Sequence, residues 1–131
     1  MSAPNRALKS LMTYGDIIYE DKHVDMAKYE HKSAECLKYN PLGTIPFLVV
    51  NEKTLLESAS LLRFITNAYP HINHLYPKNA FARQLIDAAL DFSGTSLRPK
   101  VEQCCGVLWH NWGTKLDQNN LDLLQKYILE L

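Results

Sequence analysis

The feature that most limits the fold of this chain is a change of hydrophobic period within residues 40–65. The run PFLVV is short, continuous and apolar, which is typical of a strand buried in a sheet. Residues 51–53 have the composition of a tight turn, and residues 54–56 then predict a second strand, so the two strands form a hairpin. From Glu57 the apolar residues recur at helical spacing. A hairpin followed by a helix indicates an α/β unit.

Helical spacing also dominates the rest of the sequence. The predicted helices cover residues 3–13, 31–39, 57–69, 79–112 and 120–131. In the fourth of these, Gly94 and Pro99 are expected to kink or interrupt the helix. An imperfect alternation over residues 17–24 predicts one more strand, joined to the hairpin by a parallel crossover through the second helix.

The segment between Pro70 and Lys78 is predicted to separate two structural units. It contains two prolines and two histidines and shows no periodicity, which is typical of a linker. We therefore expect an α/β domain over residues 1–70, a linker over residues 71–78 and an all-helical domain over residues 79–131.

Composition argues against several classes of function. Lys plus Arg and Asp plus Glu number 14 each and are interspersed, so no basic surface for nucleic acid or an anionic membrane is expected. No stretch approaches the roughly 20 apolar residues that span a bilayer. The three cysteines, two of them adjacent, cannot form a disulfide framework and suit a reducing compartment. The expected location is the cytoplasm.

Three motifs occur in order along the chain: SAPNRA, then NPLGTIPFLV, then LLESASLLRFI, with helices after them. This set resembles the glutathione S-transferases, and among their classes the theta class most. The resemblance implies a thioredoxin-like N-terminal domain and an all-helical C-terminal domain. It also implies a homodimer with detoxification chemistry, in which the thiolate of the substrate glutathione attacks small electrophiles in a cleft between the domains.

Relative to that family, the sequence is short at both ends. The family has a central parallel strand before the serine of SAPNRA, where this sequence has only Met1, and its helical domain is longer. We therefore expect a thioredoxin-like domain that lacks its first strand, a partial helical domain and a chain that is not stable alone. Two explanations compete: a fragment or incomplete gene model of a full enzyme, or a truncated paralogue kept for binding or assembly.

Ser2 is the catalytic residue that the resemblance implies. A thiol has a pKa of about 8.5 in water, so a transferase must favour the thiolate of glutathione near neutral pH. A hydroxyl donor at the start of a helix does this through its hydrogen bond and the positive end of the helix dipole. Ser2 precedes the first predicted helix and matches the theta-class serine with this role.

The segment Thr44, Ile45 and Pro46 is expected from the resemblance to hold the glutathione backbone. Pro46 opens the buried strand, a place where its missing N–H is tolerated. Taken alone, the sequence favours a trans proline, since only about 5% of X-Pro bonds are cis. The resemblance instead implies a cis bond before Pro46, with the Ile45 N–H and C=O pairing with the peptide. Thr44 stands where theta enzymes often carry a lysine, and Lys32 is a candidate substitute.

Glu57 and Ser58 lie where the second strand is predicted to give way to a helix. Free N–H groups and the positive dipole end are available to an anion at such a position. The resemblance implies that Glu57 meets the ammonium of the γ-glutamyl group and that Ser58 meets its carboxylate. The alternative is that Ser58 is an ordinary N-cap, and the two roles are compatible.

Two further candidates each have a simple alternative. His31 matches a theta-class histidine that contacts glutathione, whereas lone histidines are commonly structural or exposed. Arg98 falls where the class places an active-site arginine, whereas an arginine on a helix is commonly a solvated charge. His71 and His74 have no neighbouring carboxylate or cysteine, so no metal is expected.

The sequence thus predicts a theta-like glutathione S-transferase that conjugates glutathione to small electrophiles. The alternative is a catalytically inactive subunit with the same fold, which serves assembly or glutathione binding within a larger complex. A glutaredoxin-like oxidoreductase is a weaker alternative, because residues 2–5 contain no cysteine.

Overall fold

The structure is a computed structural model that describes residues 3–110 and 118–129, with side chains at 3–106 and 118–129. Its elements, in chain order, are α1 (Ala3–Tyr14), a 3₁₀ turn (Glu30–Lys32), α2 (Ala34–Tyr39), β1 (Leu48–Val50), β2 (Lys53–Leu55), α3 (Ser58–Ala68), a 3₁₀ helix (Pro70–Leu75), α4 (Ala80–Phe92), a π-helical segment (Ser93–Leu97), α5 (Arg98–His110) and α6 (Gln118–Leu129). They form two compact units, which divide between Ala80 and Phe81.

The core of the first unit lies where α1 packs on α3. Both helices carry apolar residues at helical spacing, so each presents one apolar stripe to the other. The buried cluster consists of Leu8, Met12, Leu61, Ile65 and Ile72. Leu48 and Leu55 of the hairpin pack against this cluster, which holds the strands on the helix pair. The hairpin and α3 therefore form one layered body.

β1 and β2 confirm the predicted hairpin. They pair antiparallel with Leu48 opposite Leu55, and β2 begins one residue earlier than predicted. The connection is a two-residue turn in which Asn51 has φ 48° and Glu52 has φ 64°. Turns with positive φ at both central residues match the twist of hairpin strands. Asn adopts this conformation readily, whereas Glu does not.

The strand predicted over residues 17–24 is wrong, and with it the parallel crossover. This segment has no strand assignment, and Ile18 is 98% exposed. In the described ranges the only strands are β1 and β2, which pair with each other, so residues 17–24 have no ladder partner for their backbone groups. The segment is held instead by an ion pair between Lys9 and Asp21 and by Ile17 against the core. The unit is accordingly mostly helical, with a two-stranded sheet.

The residues after α3 pack on the end of α1. Ile72, in the 3₁₀ helix, is buried at 2% exposure, and His71 Nε2 lies 2.7 Å from the Gly15 carbonyl oxygen, to which it donates. A Cβ at Gly15 would stand 3.2 Å from the Ile72 side chain. Glycine at this position is therefore explained by a close approach between two segments.

The second unit contains the predicted helix interruption. The π-helical segment at Ser93–Leu97 separates α4 from α5 and includes Gly94. Pro99 follows in the first turn of α5, and the wider π-helical turn before it accommodates a ring that cannot donate a backbone hydrogen bond. α5 packs on α6. Across the described parts of the chain, every helix is too short or too polar to cross a membrane.

Candidate functional site

The loop between α2 and β1 is organised around Asn40, which is 1% exposed. Its Oδ1 accepts from the Leu42 N–H at 3.1 Å, and its Nδ2 donates to the Thr44 carbonyl oxygen at 2.7 Å and to Thr44 Oγ1 at 3.0 Å. The Gly43 N–H donates to the Asn40 carbonyl oxygen at 2.9 Å. These bonds hold a compact turn that delivers the chain to Ile45.

The Ile45-Pro46 peptide bond is cis, as the family resemblance implied and contrary to the expectation from the sequence taken alone. Ile45 is half-buried, and no hydrogen bond within the described ranges uses its N–H or C=O. Beside it, the rings of Tyr39 and Phe47 stack with centroids 6.4 Å apart, which joins the end of α2 to the start of β1. The backbone groups of Ile45 are therefore available to an extended peptide.

The hairpin register brings two of the predicted motifs to one end of the sheet. Leu48 is opposite Leu55, and Pro46 and Glu57 each lie two residues beyond that pair in the sequence, so both are at the open end of the hairpin. The loop that ends at Pro46 and the start of α3 are thus neighbours. This proximity results from the pairing of β1 with β2, because the motif NPLGTIPFLV runs into β1 and the motif LLESASLLRFI begins at the end of β2.

Glu57 adopts an unusual backbone conformation at the start of α3. Its φ is 65° and its ψ is 106°, and it is the N-cap residue of the helix with no capping hydrogen bond from its side chain. The alternative that Ser58 is an ordinary N-cap is therefore wrong, because Ser58 is already the first helical residue. Strained non-glycine residues of this kind are enriched at functional sites. The helix start has N–H groups with no capping side chain.

His31 and Lys32 contact the same loop from the 3₁₀ turn before α2. A Cβ at Gly43, whose φ is +58°, would lie 2.7 Å from Lys32 Cδ and 3.1 Å from the His31 carbonyl oxygen, so both the backbone conformation and the close approach favour glycine there. The Lys32 ammonium donates to the Leu42 carbonyl oxygen at 3.0 Å. Nδ1 of His31 is buried and has no hydrogen-bond partner among the described residues. Its ring stacks on Tyr29 at 5.9 Å.

Arg98 lies in the second unit and forms an ion pair. Its Nε is 2.7 Å from Glu102 Oε1, one helical turn along α5, and the two side chains are 49% and 63% exposed. An open cavity of about 370 Å³ lies in the same unit. Its lining consists of Phe92, Thr95, Ser96, Leu97, Pro99, Lys100 and Gln103. Arg98 is therefore close in sequence to this cavity without being part of its lining.

Two remaining predictions concern the catalytic serine and metals. Ser2 lies outside the described residues, directly before the first residue of α1 in the sequence. No group of three or more His, Cys, Asp or Glu among the described residues could hold a metal ion. Asn40 is the residue that sequence reasoning missed, since it was considered only as the first residue of the motif NPLGTIPFLV. The available signal was its residue type, because Asn side chains commonly close turns on their own backbone.

Comparison with known proteins follows the same motifs. Residues 1–67 match the family described as "Glutathione S-transferase, N-terminal domain". Human glutathione S-transferase theta-1 is 34% identical over 110 residues, which make up 84% of this chain and 45% of that protein. Glutathione S-transferase T1 of Arabidopsis thaliana is 32% identical over 99 residues, 75% of this chain and 40% of that protein.

The likeness extends to three dimensions. The apo form of human glutathione S-transferase T1-1 superposes with a TM-score of 0.82 at 30% identity, over 99% of this chain and 54% of that structure. The chain therefore spans about half the length of the relatives it matches.

Proposed function

This chain belongs to the glutathione S-transferase family, as a theta-like member, and on that premise we propose that its first unit binds glutathione at the hairpin end that carries Pro46. The observation that carries the proposal is the start of α3. It is uncapped and lies at the same hairpin end as the cis peptide bond. An uncapped helix start binds carboxylates through its N–H groups and dipole. Ser58 would receive the γ-glutamyl carboxylate there, and Glu57 the neighbouring ammonium.

The rest of the peptide extends from α3 along the loop. Its middle would pair with the Ile45 N–H and C=O, next to Thr44, in the manner of an added strand. The carboxylate of the glutathione glycine would then lie near the turn that contains His31 and Lys32. Nδ1 of His31 supports this direction, because it is buried with no hydrogen-bond partner among the residues that the structure describes, and a ligand would satisfy it. The Lys32 ammonium supplies a positive charge beside the same loop.

Ser2 is proposed to stabilise the glutathione thiolate. The thiol gives its proton to solvent, and the Ser2 hydroxyl donates a hydrogen bond to the resulting anion. The thiolate electron pair then forms a C–S bond to an electrophilic carbon. In a substitution the leaving group departs with its bonding pair, and in an addition a proton from solvent completes the product. Arg98 is retained as a candidate contact of the electrophile on the family resemblance alone.

Substitution of Ser2 tests the chemical part of the proposal. We expect Ser2→Ala to lower the turnover of a chloronitrobenzene electrophile by about 100-fold, the usual cost of losing one donor to a developing anion. Its affinity for S-methylglutathione, which has no ionisable thiol, should stay the same. Ser10→Ala is the matched control, because Ser10 is an exposed serine on α1.

Three outcomes separate the parts of this test. Equal turnover by both variants would contradict the role of Ser2. Glutathione binding without turnover in the unchanged chain would leave the binding proposal standing and remove the catalytic one. Failure to bind glutathione in calorimetry would contradict both.

A second candidate is a non-catalytic subunit that assembles with other chains. Its supporting observation is α4, which has no buried residue and exposes Phe81 at 74%, Leu85 at 55% and Phe92 at 56%. Contiguous exposed apolar residues commonly mark a protein interface. Sedimentation of the purified chain across a range of concentrations tests this candidate. Self-association that Phe81→Ser abolishes, in a chain with no turnover, would favour it over the enzyme.

A further inference from the structure

Asn40 has more hydrogen bonds than closing a turn requires. Its backbone N–H already donates to the Cys36 carbonyl oxygen, which ends α2, and its backbone carbonyl already accepts from Gly43. The side chain adds three bonds to Leu42 and Thr44 while it is almost completely buried. A buried amide is costly unless all its polar atoms are paired, and here they are paired along one short loop. The side chain therefore constrains something beyond the turn itself.

The constrained group is the peptide unit between Thr44 and Ile45. Asn40 Nδ2 donates to the Thr44 carbonyl oxygen at 2.7 Å, and this peptide bond is trans. In a planar trans peptide the C=O and the N–H point in opposite directions. A bond that holds the Thr44 carbonyl toward buried Asn40 therefore turns the Ile45 N–H away from it. That N–H is the one that the proposed function assigns to the glutathione backbone.

We propose that Asn40 is a positioning residue for glutathione, which sets the plane of the Thr44 to Ile45 peptide and so aims the Ile45 N–H at the substrate. This inference rests on the proposed function. Asn40 does not touch the peptide itself. Without its amide, the Thr44 carbonyl is free to rotate, and the Ile45 N–H loses its fixed direction before binding. The cost appears in affinity, because the loop must then be ordered when the ligand binds.

Two substitutions at Asn40 test the peptide-plane mechanism by calorimetry with glutathione and with S-methylglutathione. Asn40→Asp has nearly the same shape but places a carboxylate oxygen where Nδ2 donates, so it repels the Thr44 carbonyl. Asn40→Ser keeps an acceptor for the Leu42 N–H and loses only the reach to Thr44, so it preserves the turn. We expect both to weaken the binding of both ligands at least about tenfold. If the Asn40→Asp variant does not fold, the affinity of the Asn40→Ser variant alone tests the mechanism.

Two control variants separate positioning from loss of stability. Asn67 also donates from its side-chain amide to a backbone carbonyl, that of Arg63 at 2.8 Å, but on the exposed surface of α3. Asn67→Asp therefore repeats the chemical change away from the loop. Ile72→Val lowers the stability of the same unit by a small change in its buried cluster. Both controls should bind S-methylglutathione within about twofold of the unchanged chain, at 25 °C and with thermal unfolding recorded in parallel.

Each outcome has a distinct meaning. Weak binding by the Asn40 variants alone supports the inference. Affinities in the Asn40 variants that match the controls would overturn it and leave the proposed function intact. If the unchanged chain binds neither ligand, the proposed function fails and the inference fails with it.

Discussion

The two units of this chain differ in how their polar and apolar groups are used. In the first unit, α1 and α3 bury a cluster of apolar side chains, and the buried Asn40 side chain makes hydrogen bonds within the loop before β1. In the second unit, α4 buries none of its residues, and the Arg98 ion pair is exposed. The two units also differ in backbone conformation, since every residue with a positive φ among the described residues lies in the first unit, before residue 58.

This contrast indicates which unit is suited to hold a binding site. A loop with unused backbone groups keeps one shape only when buried contacts hold its ends. The first unit meets that condition at residues 40–46. Asn40 makes buried hydrogen bonds at the start of this loop, and Leu48, just after its end, packs against the buried cluster. The apolar surface of α4 has no such cover among the described residues, which is typical of a surface that another body covers.

The largest expected effect comes from one substitution made in both units. Leu61→Ala removes a side chain that is 1% exposed, so we expect the free energy of unfolding to fall by about 3 kcal/mol. Leu85→Ala removes a side chain that is 55% exposed, and the expected change is below about 0.5 kcal/mol. Urea unfolding followed by circular dichroism measures both. A large loss at Leu85 would show that the α4 surface is covered in solution and would break the comparison.

An intermediate effect is expected at the far end of the hairpin. Glu52 has φ 64°, which costs a side-chain-bearing residue about 1 kcal/mol, so Glu52→Gly should stabilise the first unit by about 0.5–1 kcal/mol. Asn51→Gly is the control, since Asn tolerates positive φ and the expected gain is smaller. Thermal unfolding of the two variants ranks them. A loss of stability in the Glu52 variant would show that its side chain makes a contact that outweighs the backbone cost.

The smallest effects concern exposed ion pairs. Glu102→Gln removes the partner of Arg98 and should change the free energy of unfolding by less than about 0.5 kcal/mol, because both side chains are well solvated. Asp21→Asn in the first unit should cost more, since its partner Lys9 is only 27% exposed. Unfolding at low and high salt compares them, and a larger salt dependence at Glu102 would reverse the ranking.

Local patterns in the sequence predicted most of the elements. The hairpin, α3 and the interruption near Gly94 were confirmed. Each depends on hydrophobic periodicity, or on residues that break it, within a short stretch of the chain. The strand over residues 17–24 failed because a strand needs a partner, and alternation along one segment carries no information about what lies beside it. The capping role of Ser58 failed by a single residue, at a helix start where the strained Glu57 takes the N-cap position.

Sequence alone determined the order of the three motifs, the family and the residue types at the candidate site. The motif order, the family and the residue types can be obtained from residues close together in the chain or from sequence comparison, without any knowledge of tertiary contacts. Only the tertiary structure decided that Asn40 is buried, that Pro46 and Glu57 share one end of the hairpin, and that His31 Nδ1 is buried with no hydrogen-bond partner in the described part of the chain. Burial and strand register are set by contacts between residues far apart in the chain, and a side chain acquires its role from the groups that those contacts place around it.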